Sequence, residues 1–516
     1  MTTRGRAAGC RWFFLAAAFA AVIGNCVIAA VPGICRDEGY VESAGERAPR
    51  ALTAYVESLG QGAFDLRSAC TQWAAAFSNR HRGIVQIPMA ASGPVPPRLI
   101  LFPGPGVELR QLAEWTAMRR HVHRVEIGSR FVVASFTSGV SARELHEFVQ
   151  EPQVGYAEPD CDGPDFATSS FEPALDSQSN DCWHRPARLA FPNDPCIDDL
   201  WGHSRIGWDS TIAARSLPRL VAILDSGVDA SHEDLSLNVV RVLIHDTGRS
   251  EGGRLNARCA TSGRCYPHGT EMAGTIGGRM DNGIGIAGVA PNSDLLPIVI
   301  SRPEQGKLAR LSTIAHAIDI AAARGAHVIN ISARWPVDSR AVGEAILAAT
   351  SGRAAGQRLV VTGYATSLDN DETVREYFPS QYRCLPGLLA GVPGDMGGDD
   401  LFNPATPPNA TDGRIRAPGV DIVVTTTENS ERGYALSEAA GASSAAAYVS
   451  GAVALVWGSP PLNKCDAQQI KRLLFCRSKS SKSSRYPWIN VDFLGELAKL
   501  GAGADCRTAM DALGCS

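Results

Sequence analysis

Apolar residues in the second half of this chain fall in short continuous runs, separated by longer stretches with helical spacing. Such runs are typical of strands buried on both faces of a sheet, and they lie at residues 221–224, 295–300, 328–331 and 359–361. Predicted helices alternate with them at residues 311–324, 341–349 and 445–457. This alternation predicts an α/β fold in which a parallel sheet is covered by helices on both faces.

Residues 98–160 show a different pattern, that of a small α+β unit. Its predicted strands and helices lie at residues 99–102, 108–120, 131–136 and 141–149. Ser141 opens the second helix and Glu144 follows three residues later, which is the arrangement of a capping box. An extended run at 153–160 closes the unit and gives it a βαββαβ-like order.

The first thirty residues have the pattern of an export signal. Arg4, Arg6 and Arg11 precede an almost uncharged apolar run over residues 12–30, as a basic region precedes the apolar core of a signal peptide. The run is about 19 residues long, near the lower limit for a helix that spans a membrane. A cleaved signal peptide and an N-terminal membrane anchor both remain open, and either would carry the rest of the chain out of the cytosol.

Cysteine content agrees with an exported protein. Omitting Cys10 and Cys26 in the apolar leader leaves twelve of the fourteen cysteines, an even number that is typical of disulfide pairing. The close spacings predict local disulfides at Cys259/Cys265, Cys465/Cys476 and Cys506/Cys515, although sequence alone cannot fix connectivity. The balance of 49 basic against 53 acidic residues gives no reason to expect nucleic acid as a partner.

Three short segments each place one polar side chain beside a glycine or another small residue, where an apolar run begins or ends. They are residues 220–227 with Asp225, 268–270 with His268, and 441–451 with Ser443. Asp225 follows an apolar run, so it should lie at the carboxyl end of a strand, where catalytic groups of α/β sheets collect. An Asp, a His and a Ser presented in this way are the components of a nucleophilic hydrolase.

The same segments, in the same order along the chain, resemble those of the subtilases, and the resemblance extends over residues 192–500. It implies that Ser443, rather than the adjacent Ser444, is the nucleophile. His268 would be the general base, and Asp225 would orient it and stabilise its charged form. His232, in the same turn as Asp225, is interpreted as structural.

The resemblance also sets the expected domain organisation, because residues 98–160 resemble the inhibitory propeptide of subtilases. The predicted divisions are a signal peptide or membrane anchor (1–30), a region of unknown role (31–97), a propeptide or inhibitor-like α+β domain (98–160), a linker with a processing site (161–191), a subtilisin-like catalytic domain (192–500) and a C-terminal tail (501–516).

Two departures from the family pattern bear on activity. Thr366 stands where subtilases have the asparagine that donates to the oxyanion, and Asn370 is a candidate substitute. The segment Ser332, Ala333 and Arg334 stands where the family lines its substrate cleft, and Arg334 with Trp335 would add bulk and charge there. Weakened or narrowed activity is therefore expected.

A structural calcium site is also expected, because residues 280–291 resemble the calcium loop of subtilases. Carboxylate, amide and carbonyl oxygens suit this hard cation. The predicted ligands are Asp194, Asp234, Met280, Asn282, Ile284 and Ile286. A tight glycine turn without an ion is the alternative.

The sequence thus predicts an exported serine endopeptidase that forms an acyl-enzyme, acts on proteins or peptides, and has its own propeptide as an intramolecular inhibitor. Its location would be secreted, periplasmic or otherwise extracytoplasmic, with or without the membrane anchor. The alternative is a catalytically weak or inactive subtilase fold that binds peptides or proteins. A lipase or esterase of the α/β-hydrolase type would need its serine before its aspartate and histidine, whereas here the serine comes last.

Overall fold

The computed structural model describes residues 66, 69 and 70, residues 97–161, and most of 182–516, with gaps of which the longest are 252–266 and 403–412. The strands are β1 (Arg98–Pro103), β2 (Val122–Ile127), β3 (Val132–Phe136), β4 (Val154–Pro159), β5 (Leu220–Asp225), β6 (Val242–Ile244), β7 (Ser250–Glu251), β8 (Asp294–Val299), β9 (Ser301–Arg302), β10 (Lys307–Leu308), β11 (Val328–Ile331), β12 (Leu359–Gly363), β13 (Thr366–Leu368), β14 (Val374–Glu376), β15 (Leu388–Gly394), β16 (Leu401–Phe402), β17 (Arg414–Pro418), β18 (Ile422–Thr425), β19 (Tyr434–Ser437) and β20 (Ser480–Ser481). The helices are α1 (Leu109–Ala117), α2 (Ala142–Val149), α3 (Trp201–Arg205), α4 (Ser210–Arg215), α5 (His268–Gly277), α6 (Leu311–Ala323), α7 (Arg340–Ser351), α8 (Ala442–Gly458), α9 (Ala467–Cys476), α10 (Leu494–Leu497) and α11 (Cys506–Ala512).

The largest sheet has eight strands in the order β17-β15-β12-β11-β5-β8-β6-β7. All neighbours in it run parallel except the short pair β6–β7. The predicted parallel sheet is therefore confirmed, as are the predicted strands and helices within it, to within a few residues at their ends.

Side chains along the central strands alternate between two cores, because successive residues of a strand point to opposite faces. Ala222 and Leu224 of β5 lie in one core, with helices α6 and α7. Val221 and Ile223 lie in the other core, with helices α5, α8 and α9. Helices thus cover both faces of the sheet, which confirms the predicted fold class.

The first folded unit is a four-stranded antiparallel sheet in the order β2-β3-β1-β4, with α1 and α2 completing the predicted βαββαβ order. Ser141 and Glu144 form the predicted capping box at the start of α2. The unit packs against α6 and α7, so its apolar residues share one core with the large sheet.

Two carboxylates at the end of β4 cross from this unit to the helices beneath it. Glu158 accepts hydrogen bonds from Ser339 Oγ at 2.8 Å and from the backbone N–H of Arg340 at 2.9 Å, at the start of α7. Asp160 accepts from Ser312 N at 3.0 Å and from its hydroxyl at 2.8 Å, at the start of α6. The first N–H groups of a helix have no partner within it, so each carboxyl group caps a helix of the neighbouring domain.

Residues 503–516, the described part of the predicted C-terminal tail, pack against the body of the protein. Helix α11 buries Ala509 and Met510 in the same core as α8. Two disulfides hold this segment in place, Cys465–Cys506 and Cys476–Cys515. The predicted pairs Cys465/Cys476 and Cys506/Cys515 are therefore wrong. Cys465, two residues before α9, is bonded to Cys506 at the start of α11, and Cys476, at the end of α9, is bonded to Cys515 beyond α11.

Two further disulfides join segments of the described chain. Cys70 is bonded to Cys161 and Cys182 is bonded to Cys196. The predicted pair Cys259/Cys265 and the leader at residues 1–30 lie outside the described residues. Within the part of the chain that is described, no helix is both long and apolar enough to cross a membrane.

Candidate active site

The carboxyl edge of the large sheet brings the predicted site residues together. Strands β5 and β11 pair in parallel with Leu224 beside Ile331, so the next residues, Asp225 and Ser332, emerge side by side. Neighbouring strands lie about 4.8 Å apart. Ser443 reaches the same place, because its Oγ donates to the carbonyl oxygen of Ser332 at 3.2 Å.

His268 begins helix α5 and faces Asp225 directly. Its Nδ1 lies 2.8 Å from Asp225 Oδ1, and both side chains are buried. Gly269 permits this approach, because a Cβ there would collide with the carbonyl oxygen of Gly227. Gly227 itself has a φ of 109°, a conformation that disfavours residues with a side chain.

The carboxylate of Asp225 sets the pKa of the His268 imidazole. Burial alone would lower the pKa of His268, but the charge of Asp225 and its hydrogen bond outweigh burial, and the pKa of His268 is raised above 6.5. Asp225 Oδ1 also accepts from the N–H of Ser226 at 2.7 Å. The second carboxylate oxygen, Oδ2, is buried and has no hydrogen-bond partner among the described residues.

Ser443 is the second residue of helix α8, and it is the accessible serine of its pair. Ser443 is partly exposed, whereas Ser444 is buried. Helix α8 is buried from Ser444 to Gly458, which is why its sequence is apolar or small on all sides. Gly363 lets the helix approach β12, since a Cβ there would lie 2.6 Å from the carbonyl oxygen of Ala442.

A buried chain of hydrogen bonds supports the first turn of α8 from behind. Ser450 Oγ donates to Asn330 Oδ1 at 2.9 Å, and Asn330 Nδ2 donates to Ser332 Oγ at 2.9 Å. Ser332 Oγ in turn donates to the carbonyl oxygen of Ser443 at 3.3 Å. Sequence reasoning missed Ser450 and Asn330; a polar residue inside each of two apolar runs was the signal that could have revealed them.

The structure places Thr366 at the first position of β13, in a two-stranded ladder where it pairs with Glu376. It follows Tyr364, whose N–H continues the main sheet by donating to Gly391 O at 2.8 Å. The predicted substitute donor, Asn370, lies outside the described residues. A role for Thr366 at the oxyanion therefore stays a prediction.

The predicted cleft segment is only partly exposed. Ala333 and Trp335 are buried in the core that holds α6 and α7, so the expectation that Trp335 adds bulk to a cleft is wrong. Arg334 is partly exposed, and its guanidinium carbon lies 4.9 Å from the ring centroid of Tyr377. Of the residues expected to alter the cleft, Arg334 is the one whose side chain reaches the surface.

The loop expected to bind calcium is closed by hydrogen bonds. Asp194 accepts from the N–H groups of Asp281 and Asn282 at 2.8 and 3.2 Å. Asp234 accepts from Asn282 Nδ2 at 2.7 Å and from Ile286 N at 2.9 Å. The Asn282 Oδ1 atom accepts from Ile284 N at 3.1 Å.

Tyr434 completes this arrangement. Its hydroxyl donates to Asp234 Oδ2 at 3.0 Å, and its ring lies against Gly285, where a Cβ would collide with it. The side-chain oxygens of Asp194, Asp234 and Asn282 thus each accept a hydrogen bond, and each acid and amide oxygen has a further lone pair that a cation could use. Among the described residues, no group of three or more His, Cys, Asp or Glu side chains could hold a metal, so the predicted site would depend on amide and carbonyl oxygens as well. Calcium binding by Asp194, Asp234 and Asn282 with the carbonyls of Met280, Ile284 and Ile286 therefore stays a prediction.

These contacts predict that Tyr434 stabilises the loop. Tyr434→Phe should lower the free energy of unfolding by about 1–3 kcal/mol, because a buried carboxylate oxygen loses a donor. EDTA tests the calcium prediction separately, because a loop held by hydrogen bonds alone should keep its midpoint of thermal unfolding. Tyr377→Phe is the matched control, since the Tyr377 hydroxyl makes no hydrogen bond to any described residue. A midpoint that falls in EDTA and returns with added calcium would show that a cation does bind.

His232, the competing histidine, has the structural role that was expected. Its Nε2 lies 2.7 Å from the carbonyl oxygen of Gly433, and its Nδ1 accepts from Asp234 N at 3.2 Å. Its ring also packs edge-on against Tyr434. Both ring nitrogens are therefore engaged in holding the Asp234 loop.

Comparison with known proteins agrees with this geometry. The sequence pattern of the Subtilase family matches residues 219–387, which include Asp225, His268 and Ser332 and end before Ser443. The chain is 31% identical over 237 residues to the major intracellular serine protease of Bacillus subtilis. The aligned region covers 46% of this chain and 67% of that protein. It is 32% identical over 241 residues to a thermostable alkaline protease of Halalkalibacterium halodurans. That alignment covers 46% of this chain and 56% of that protein.

The fold is similar to that of a solved structure, fervidolysin from Fervidobacterium pennivorans, described as a keratinolytic enzyme related to subtilisin. The TM-score is 0.56 at 20% identity, over 79% of this chain and 62% of that one. The parallel sheet, the residues at its carboxyl edge and these matches together place the chain in the class of subtilisin-like serine endopeptidases. The chain belongs to the subtilase family.

Proposed function

We propose that this protein hydrolyses peptide bonds through an acyl-enzyme formed on Ser443, with His268 as general base and Asp225 as the group that orients it. The observation that carries the proposal is the buried 2.8 Å contact between His268 Nδ1 and Asp225 Oδ1, at the same sheet edge as a partly exposed Ser443. A buried imidazole held by a carboxylate beside an accessible hydroxyl is the arrangement that nucleophilic catalysis needs.

The direction of proton transfer follows from which ring nitrogen of His268 faces Asp225 and which is left for Ser443. Asp225 accepts from Nδ1–H, so the other nitrogen, Nε2, carries the lone pair that takes a proton. The mechanism requires the Ser443 hydroxyl to leave the carbonyl oxygen of Ser332 and to donate to Nε2 instead. As Oγ bonds to the substrate carbonyl carbon, its proton passes to Nε2, and the same proton then leaves on the amine when the C–N bond breaks. Water repeats the sequence and releases the acyl group.

Negative charge that develops on the substrate oxygen lies near the start of α8, where backbone N–H groups are not used within the helix. The N–H of Ser443 is one donor available at that position. Thr366 is proposed as the second, and its shorter side chain makes a slower enzyme than the family's asparagine would.

We propose that residues 98–160 act as the inhibitory propeptide of this enzyme. Three kinds of contact support tight and specific binding of these residues to α6 and α7. They are the buried caps formed by Glu158 and Asp160, the shared apolar core, and an ion pair between Arg130 and Asp319. Cys70–Cys161 would keep part of the region 31–97 attached to the propeptide after cleavage in the linker 161–191.

Export is proposed on two grounds. The basic and apolar leader at residues 1–30 has the pattern of a signal peptide. Eight cysteines are paired in four disulfides in the described part of the chain, and such bonds persist in oxidising compartments.

A serine-directed fluorophosphonate probe tests the catalytic proposal. The processed protein should be labelled, and Ser443→Ala should abolish both labelling and self-processing. Ser444→Ala is the matched control, because it removes the neighbouring hydroxyl, which is buried, and it should be labelled like the parent. Processed protein that is not labelled would support the alternative, a subtilase fold that binds peptides without turnover.

A further inference from the structure

We propose that Arg334 selects substrates with an acidic side chain close to the scissile bond, an inference that rests on the proposed peptidase function. The proposal starts from the position of Arg334 relative to Ser443. Ser443 Oγ lies 3.2 Å from the carbonyl oxygen of Ser332, and Arg334 follows Ser332 by two residues, at most about 7 Å along an extended chain. The backbone of Arg334 therefore lies close to the nucleophile, and we infer that its side chain can reach a substrate bound there.

The backbone around Arg334 is fixed. Trp335 and Phe378 exchange two hydrogen bonds of 2.9 Å as an antiparallel bridge, and the Trp335 side chain is fully buried. Arg334 and Tyr377 flank this bridge diagonally, on the face opposite to Trp335, because side chains alternate along an extended chain. The bridge thus aims Arg334 away from the core and holds Tyr377 next to it.

The Arg334 side chain is arranged to bind a carboxylate from outside. Its guanidinium lies over the Tyr377 ring, and a guanidinium stacked on a ring keeps its N–H edge for bidentate pairing with a carboxylate. Among the described residues, no Asp or Glu forms an ion pair with Arg334. The ring that it contacts, Tyr377, and its chain neighbours Ala333 and Trp335 carry no charge.

Positional scanning of fluorogenic peptides tests the inference. In the processed enzyme, kcat/KM should be at least about 10-fold higher for peptides with Glu or Asp than for those with Lys at one position near the scissile bond. Arg334→Gln should remove that preference, and Arg334→Glu should reverse it. Arg507→Glu, the same charge change at an exposed position of α11, should leave the preference intact.

The outcomes separate this inference from the proposed function. Enzyme concentrations are normalised by fluorophosphonate labelling, so a folded and labelled Arg334→Glu variant reports on selectivity alone. Labelling and cleavage with no acidic preference, or a preference that Arg334→Glu does not change, would reject the role of Arg334. Absence of labelling in the parent would reject the peptidase proposal, and the inference with it.

Discussion

Asp225→Asn should reduce kcat by about 10⁴-fold, the size of this effect where the aspartate of an Asp-His-Ser triad is made neutral. An asparagine carboxamide offers N–H donors as well as an oxygen, so it no longer fixes His268 with its proton on Nδ1. It also removes the negative charge that stabilises the imidazolium formed when Ser443 gives up its proton. Active-site-titrated enzyme assayed with a single peptide substrate would measure the loss.

The pH profile provides a second readout of the same substitution. His268 acts as a base only when neutral, and Asp225 holds its pKa above 6.5, so activity of the parent should fall as the pH drops through that raised value. Without the charge, burial lowers the pKa of His268, and the acid limb of kcat/KM should move to lower pH.

Stability should not follow activity in this variant. Asp225 is buried and one of its carboxylate oxygens has no partner among the described residues, so a neutral side chain there should leave the melting temperature unchanged or raise it. Asp229→Asn is the control, since Asp229 lies in the same turn and accepts from Ser231 through one oxygen that asparagine retains. Equal losses of kcat in both variants would contradict the assigned role of Asp225.

The largest effect on stability is expected at Glu158. Glu158→Ala, made in the Ser443→Ala background to prevent self-processing, should lower the free energy of unfolding by about 2–4 kcal/mol. The substitution leaves four donors without their acceptor: Ser339 Oγ, the N–H groups of Arg340 and Ala341, and the Tyr156 hydroxyl. Urea unfolding measures the change, and Glu147→Ala on the exposed face of α2 should alter it by no more than about 0.5 kcal/mol.

Glu158 also gives the assembly a pH dependence. Burial raises the pKa of Glu158 from 4.5 to about 7, so the packed state holds a proton that the solvent-exposed carboxyl has lost. This contribution to stability is complete below pH 4.5 and is lost as the pH rises through 7. The groups that face Glu158 are Asp338, Tyr156 and the start of α7 at Arg340. Glu158→Gln should flatten the pH dependence, and a parent that becomes more stable between pH 5 and 8 would contradict the assignment.

Local patterns predicted much of this molecule because they reflect local causes. The apolar strands had to be buried on both faces, and the alternation of Val221 and Ile223 with Ala222 and Leu224 shows the two cores that require it. Asp225 and His268 were identifiable because each lies within two residues of a glycine, Gly227 and Gly269, that permits close approach. Ser443 could be preferred to Ser444 from the motif alone, and the difference in exposure agrees with that choice.

Features that depend on tertiary packing were not predictable. Spacing suggested disulfides between near neighbours, but α9 and α11 pack together and pair Cys465 and Cys476 with distant partners. The calcium prediction considered only the loop and its two acidic residues, whereas a further donor to Asp234, the Tyr434 hydroxyl, lies about 150 residues farther along the chain than the loop. The motif placed Trp335 in the predicted cleft, but in the fold its side chain is buried in the core.

The two C-terminal disulfides matter for a protein that must survive beside active copies of itself. Cys506 and Cys515 attach both ends of the last short helix to the body of the domain, closing loops of 41 and 39 residues. An extended strand is the form in which a peptidase takes its substrate, and a segment tied at two points cannot peel away to supply one. Autolysis between Cys506 and Cys515 should therefore begin only after a reductant has opened those bonds.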